Sequence, residues 1–151
     1  MKLAEALQER ADLNARIEQL RYRIVNNVLV QEGEKPAEDP EALIKELNGC
    51  LDRLQYLMAR INITNCEAKA GDMSLTELIA KKDMLRLKLS AYRTIIDNAS
   101  HSASRARGTE IKILPTVKAS DLQKAADRIA KELRLTDNAL QQANWLTDLI
   151  E

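Results

Sequence analysis

The chain has 151 residues, 45% of them hydrophobic and 30% charged, with 23 basic against 23 acidic side chains. That is the length of one domain, and a net charge of zero excludes the surplus of lysine and arginine that non-specific nucleic-acid binding needs. With no phenylalanine, one histidine and two cysteines, the core must be aliphatic, and a zinc site has too few ligands to build on.

The first segment repeats apolar residues at heptad spacing: Leu3, Ala6, Leu13, Ile17, Leu20 and Ile24. This predicts one helix over residues 2–29, about 42 Å long, well beyond the ordinary globular helix. Arg10 and Asn27 fall on the same seam. A polar seam residue can fix register or oligomeric state at some cost in stability. Arg10 can equally snorkel at a helix end, and Asn27 can be a local cap. The run QEGEKPAED is a loop. Asp39 followed by Pro40 reads as an N-cap and a first-turn proline, opening a second helix from Pro40 to Cys66. Its seam is Leu43, Leu47, Cys50, Leu54, Leu57 and Ile61. Ile44, Leu51 and Met58 widen the stripe, so this helix should meet more than one neighbour. Cys50 and Cys66 lie about 24 Å apart along it, too far for a disulfide, and read as reduced thiols.

EAKAGDM is a loop around Gly71. Ser74 and Glu77 form a capping box, with Met73 and Leu78 spaced as a hydrophobic staple. The third helix runs to about Ala99 and presents Leu78, Leu85, Leu89, Tyr92 and Ile96, with Lys82 in the same row. SHSASRARG reads as a polar, basic loop. In residues 109–118, Ile111 and Ile113 alternate about Lys112, which suggests a short extended piece, either a strand or an irregular strap. Pro115 forbids a central strand. Ser120 with Gln123 reads as a further capping box, and a fourth helix follows from Asp121 to about Asn144 on Leu122, Ile129, Leu133 and Leu140. Short connections favour antiparallel neighbours. The expected fold is all-α: an antiparallel, coiled-coil-like bundle of about four long helices, with one short extended segment before the last, in a single domain spanning residues 1–151.

No stretch approaches the roughly 20 apolar residues that span a bilayer, and the charged start lacks the apolar run of a signal peptide. A cytoplasmic protein without membrane or nucleic-acid partners is expected. Folding the hairpins about residues 35 and 70 gathers Asn62, Thr64, Asn65, Asn144 and Trp145 at one pole, with Lys82, Asp83 and Arg86 about one turn inward. Three readings of this pole stand open. In the first, Asn62 and Asn65 cap the second helix, and Trp145 closes the core with its indole N–H on one of those amides. In the second, the cluster is a small polar ligand pocket. In the third, Trp145 anchors a subunit interface. Arg105 and Arg107, with Lys112, form a basic patch that can meet phosphate or an acidic partner, or simply be a solvated loop. No aromatic residues interleave to stack bases.

Nothing marks a catalytic centre. His101 has no Glu-x-x-His partner of the di-iron kind, no glycine-rich phosphate loop occurs, and one histidine gives a triad little to build on. Lys82 and Asp83 can be written as an acid–base pair or as part of a solvated face. No cofactor and no metal are predicted, and the leaning is away from an enzyme.

The wording of the sequence resembles the septicolysin-like family of bacterial proteins, whose function is unknown. The resemblance runs nearly end to end, through MKLAEAL and ERADL, VQEGEKPAEDP, RINITN, SLTELIAKKDMLRLKL, TEIK, TVKASDLQKAADRIAKELR and NWLTDL. It implies a bacterial, cytoplasmic, helical protein of unknown role. Its motif residues Asn62, Thr64, Asn65, Asp83, Asn144 and Trp145 coincide with the pole above. Where the family pattern has arginine before the aspartate, this chain has Lys82, which keeps the charge and loses the bidentate fork. The family label also implies a cytolysin. One tryptophan and no run of alternating strands speak against it. The length of the helices relative to the chain, with more apolar stripe than one slender monomer easily covers, favours a structural or interaction protein that forms a helical homo-oligomer. The alternative is a protein that binds or transforms a small polar or phosphorylated ligand, not identifiable from the sequence.

Overall fold

The computed structural model describes residues 1–100 and 111–151. Four long helices, α1 (Leu3–Asn27), α2 (Pro40–Glu67), α3 (Leu75–Ser100) and α4 (Ala119–Leu146), carry the chain, and a hairpin of two-residue strands, β1 (Lys69–Ala70) and β2 (Met73–Ser74), precedes α3. It is an all-α fold of antiparallel helix pairs. Its contacts divide into two compact units: residues 1–69 with 142–151, and residues 70–141.

In the first unit, α1 and α2 form a helical hairpin. The predicted seams are the surfaces that disappear: Leu3, Ala6 and Leu20 of α1, and Leu43, Leu57 and Ile61 of α2 are buried, while Leu13, Ile17, Ile24, Leu47, Cys50 and Leu54 are half-buried. Three arginine–glutamate pairs record the register. Arg53 grips Glu9 with a fork of 2.6 and 2.9 Å, Arg16 holds Glu46, and Arg23 holds Glu38. These pairs are centred near residue 31, about one helical turn before the predicted fold centre at 35. The cause is the connection. A turn closes between Glu34 N–H and the Gln31 carbonyl at 3.0 Å, with Gly33 at φ +87°, a left-handed conformation that glycine adopts without steric cost. The chain then runs back beside α1 before α2 begins.

Asn27 secures that return. It is buried; its Nδ2 donates to the Arg23 carbonyl (2.9 Å) and its Oδ1 accepts the Glu38 N–H (3.0 Å). Its place on the seam therefore reflects a local clamp. Asn27→Ala leaves the part-buried Glu38 N–H without its acceptor, and is expected to lower the unfolding free energy by about 1–2 kcal/mol, read as a shift in the urea midpoint.

The start of α2 is as predicted: the Asp39 carboxylate accepts the Glu41 N–H (3.0 Å) and Pro40 opens the helix. Its end differs. The helix continues to Glu67, and Ala68 N–H donates to the Thr64 carbonyl (2.8 Å). Asn62 and Asn65 thus lie inside the helix rather than capping it. Cys50 and Cys66 both lie within α2 and form no disulfide.

Residues 147–151 fold against the N-terminus. Leu3 N–H donates to the Thr147 carbonyl, and Leu149 N–H to the Met1 carbonyl, both at 2.9 Å. Lys2 and Asp148 form an antiparallel bridge and an ion pair of 2.8 Å. Leu149 is buried.

Ahead of α3, β1 and β2 pair about a two-residue turn with Gly71 at φ +66°, the conformation that the first position of a II′ hairpin turn requires. The capping box is as predicted: Ser74 N–H donates to Glu77 (2.7 Å) and Glu77 N–H to the Ser74 hydroxyl (3.2 Å). Leu85 and Leu89 of α3 form one core with Ala126 and Ile129 of α4, against which Tyr92, Ile96, Ala130 and Leu133 pack. The second predicted capping box is absent. The N–H groups of Asp121 and Leu122 bond the Lys118 carbonyl, so the helix starts at Ala119 and Ser120 lies in its first turn. Gln123 instead donates to Asp127 (3.0 Å). Residues 111–118 are irregular apart from a single bridge position at Lys112. His101, Arg105 and Arg107 lie outside the described residues.

Candidate functional site

The predicted polar pole divides between the two units. Asn62, Thr64, Asn65, Asn144 and Trp145 belong to the first unit, and Lys82, Asp83 and Arg86 to the second. Within the first, Thr64 is fully buried. Its hydroxyl donates to the Arg60 carbonyl (2.8 Å) and accepts the Ile150 N–H (3.0 Å), so both of its hydrogen-bonding roles are filled inside the fold. Asn144 is buried and Asn65 half-buried. Asn62 is exposed. Trp145 is 57% exposed, which overturns the expectation that it closes the core. The buried hydrophobic Leu149 lies four residues beyond it, in the segment that turns back along the N-terminus.

In the second unit, Lys82 pairs with Asp137 of α4, not with its neighbour Asp83. Successive helical residues point about 100° apart and do not face each other, and Asp83 is exposed. The acid–base pairing of Lys82 with Asp83 therefore does not form. The Lys82 side chain is only 14% exposed. The paired Lys82 ammonium is the main reason the Asp137 carboxyl is held below the usual carboxylate range, with Gln141 and then Arg86 adding to the effect.

That pair sits in an open cleft of about 430 Å³ between α3 and α4, lined by Lys82, Arg86, Leu89 and Arg93 from one helix and Ala130, Leu133, Arg134 and Asp137 from the other. A further hollow of about 300 Å³ shares Arg86, Leu89, Arg93 and Leu133 with it and adds Ser90, Thr94 and Asp97. Sequence reasoning singled out Lys82 and Arg86, but as part of the pole around Asn62, and missed Arg93, Arg134 and Asp137. Lys82, Arg86 and Arg93 are spaced by four and seven, which puts all three on one helix face. That half of the cleft was readable. Finding Arg134 required the register of α4 on α3.

A different feature lies on α2. The residues that widen its stripe, Ile44, Leu51 and Met58, are 42%, 43% and 48% exposed. Asn48, Gln55 and Asn62 interleave with them on the same face and are exposed as well, so the strip from 44 to 62 carries no charge. Among the described residues, no group of three or more His, Cys, Asp and Glu is arranged to hold a metal ion, and no helix is long and apolar enough to cross a membrane.

The fold and these surfaces define an all-α protein of helical hairpins, with a basic cleft on one and an uncharged apolar strip on the other. The chain belongs to a family of unknown function, DUF6847, whose model matches residues 10–149. It is similar to the crystal structure of a functionally unknown conserved protein from Corynebacterium diphtheriae, at 34% identity and a TM-score of 0.91 over 99% of each chain. No curated protein matches it.

Proposed function

We propose that this is a cytoplasmic helical interaction protein that self-associates through the uncharged strip on α2. The supporting observation is the exposure of Ile44, Leu51 and Met58 at seven-residue spacing, on a helix whose opposite residues already bury against α1. Seven-residue recurrence keeps a helix face in continuous contact with a partner helix. Interface cores are depleted of charge, as this strip is. Leu51 is midway between Ile44 and Met58. A second copy applied antiparallel about a twofold axis therefore sets Leu51 on its own equivalent and Ile44 beside the equivalent of Met58, the self-complementarity a symmetric dimer requires. Equal numbers of acidic and basic residues leave no net repulsion between copies. The resemblance to septicolysin-like proteins belongs to this reading as a shared helical scaffold, with no lytic activity assigned.

Light scattering on a sizing column tests it. The protein is expected to elute at twice its 17.0 kDa chain mass at micromolar concentration, and Leu51→Lys is expected to elute at the chain mass with its helix content intact. A sharp monomer mass for the unaltered protein would overturn the proposal.

A further inference from the structure

The two helical hairpins treat their arginines differently. In the first unit, Arg16, Arg23 and Arg53 each hold a glutamate of the facing segment. In the second, Lys81 and Lys82 are the residues paired across the helices, with Glu132 and Asp137. Arg86, Arg93 and Arg134 make no ion pair or hydrogen bond among the described residues, although Arg86 acts on the Asp137 carboxylate at longer range, and all three line one cleft. Its only carboxylate, Asp137, is already neutralised by Lys82. In the adjoining hollow, Asp97 is the one acidic group, and it is itself engaged in an interaction. Guanidinium groups that share a cleft repel one another, and an anionic ligand that accepts their forked donors relieves that repulsion.

The register gives the site two anion positions. Lys82 pairs with Asp137 and Lys81 with Glu132, so in the antiparallel pair Arg134 lies within about one helical turn of the level of Arg86. Arg93 sits seven residues further along α3, roughly 10 Å away. Between the two levels the floor is Leu89 with Leu133, part of the hydrophobic packing of this unit. The cleft thus offers a two-arginine grip at one end, an apolar middle and a single arginine at the other.

We propose that the α3–α4 cleft binds a small phosphorylated molecule, with one phosphate between Arg86 and Arg134, an apolar stretch over Leu89 and Leu133, and a second anionic group at Arg93. This site is independent of the strip on α2.

Three probes test it by calorimetric titration at low salt: inorganic phosphate, hexyl phosphate and hexane-1,6-diyl bisphosphate. The bisphosphate is expected to bind at least about tenfold more tightly than inorganic phosphate, since it adds a charge-assisted contact and apolar burial. Hexyl phosphate should fall between them. Arg93→Ala should reduce the bisphosphate to the affinity of hexyl phosphate. Arg86→Ala and Arg134→Ala should each weaken all three probes. The three arginines are exposed, so these variants should keep the helical circular dichroism of the parent, which the same samples verify. Absence of saturable binding by any probe at millimolar concentration would overturn the proposal. So would binding that none of the three substitutions changes.

Discussion

Leu57→Ala is expected to lower the unfolding free energy by about 3 kcal/mol, within the range of roughly 2–5 kcal/mol for a fully buried leucine. Leu57 is 0% exposed on the α1–α2 seam, level with the first turns of α1, and truncation leaves a cavity that two helices held in register by ion pairs cannot easily close. Leu51, six residues earlier in the same helix, is 43% exposed. At protein concentrations low enough to keep the chain monomeric, Leu51→Ala should stay within about 0.5 kcal/mol of the parent. Urea titration of both variants at two protein concentrations separates the faces. A cost at Leu51 that grows with concentration is the linkage signature of association. A Leu51 cost equal to that of Leu57 in dilute solution would mean that this face is already covered within one chain.

The contrast between these leucines explains what the sequence could and could not tell. Apolar periodicity identified every helix and each seam, because burial along a helix face is a local property of spacing. It also flagged Ile44, Leu51 and Met58 as surplus to the α1 contact, but periodicity does not say what covers a stripe. The Ser74–Glu77 box and the Asp39–Pro40 start were legible because the bonding groups are three residues apart or fewer. Ser120 and Gln123 have the same spacing, yet the helix begins earlier, on Lys118, and the motif falls inside it. The hairpin about Gly71 escaped notice because strands of two residues are too short to show alternation. Its Gly-Asp turn was the available signal.

Registers were the harder part. The α1–α2 fold centre was misjudged by about one turn because the connection doubles back through Glu38 before α2 starts. The α3–α4 register was not accessible at all, since residues 101–118 are long enough to permit many offsets. With it went Arg134 and Asp137. Arg93 and Arg134 look in sequence like ordinary solvated charges, and only their placement on a shared groove distinguishes them. The pole around Thr64 was located by hairpin geometry, but its chemistry was not. A threonine whose hydroxyl serves two backbone groups is indistinguishable in sequence from one offered to a ligand.

The other large expected effect lies where the two ends of the chain meet. Leu149 is 7% exposed, and its N–H donates to the Met1 carbonyl. Leu149→Ala is expected to cost about 2–4 kcal/mol, in the lower part of the range for buried leucines, because a terminal segment can partly relax into the space. The ion pair beside it should matter much less. Lys2 and Asp148 are 39% and 75% exposed in their side chains, and exposed pairs contribute little, so Asp148→Ala should be nearly neutral at pH 7. Lys2 holds the Asp148 carboxyl below its ordinary range. Whatever the pair contributes is therefore present above that range and lost as pH falls from it through the lowered value. The burial of Leu149, not the charge, should decide whether the segment stays in place. Once it frays, the amides of Leu3, Leu149 and Ile150 lose the acceptors they have on Thr147, Met1 and Thr64, and their hydrogen exchange should accelerate together. Local opening of this kind leaves distant segments protected, so the amides of Leu89 and Ile129, in the core of the other unit, should keep their protection. Equal acceleration there would show instead that the two units open as one, and that the meeting of the chain ends controls the stability of the whole molecule.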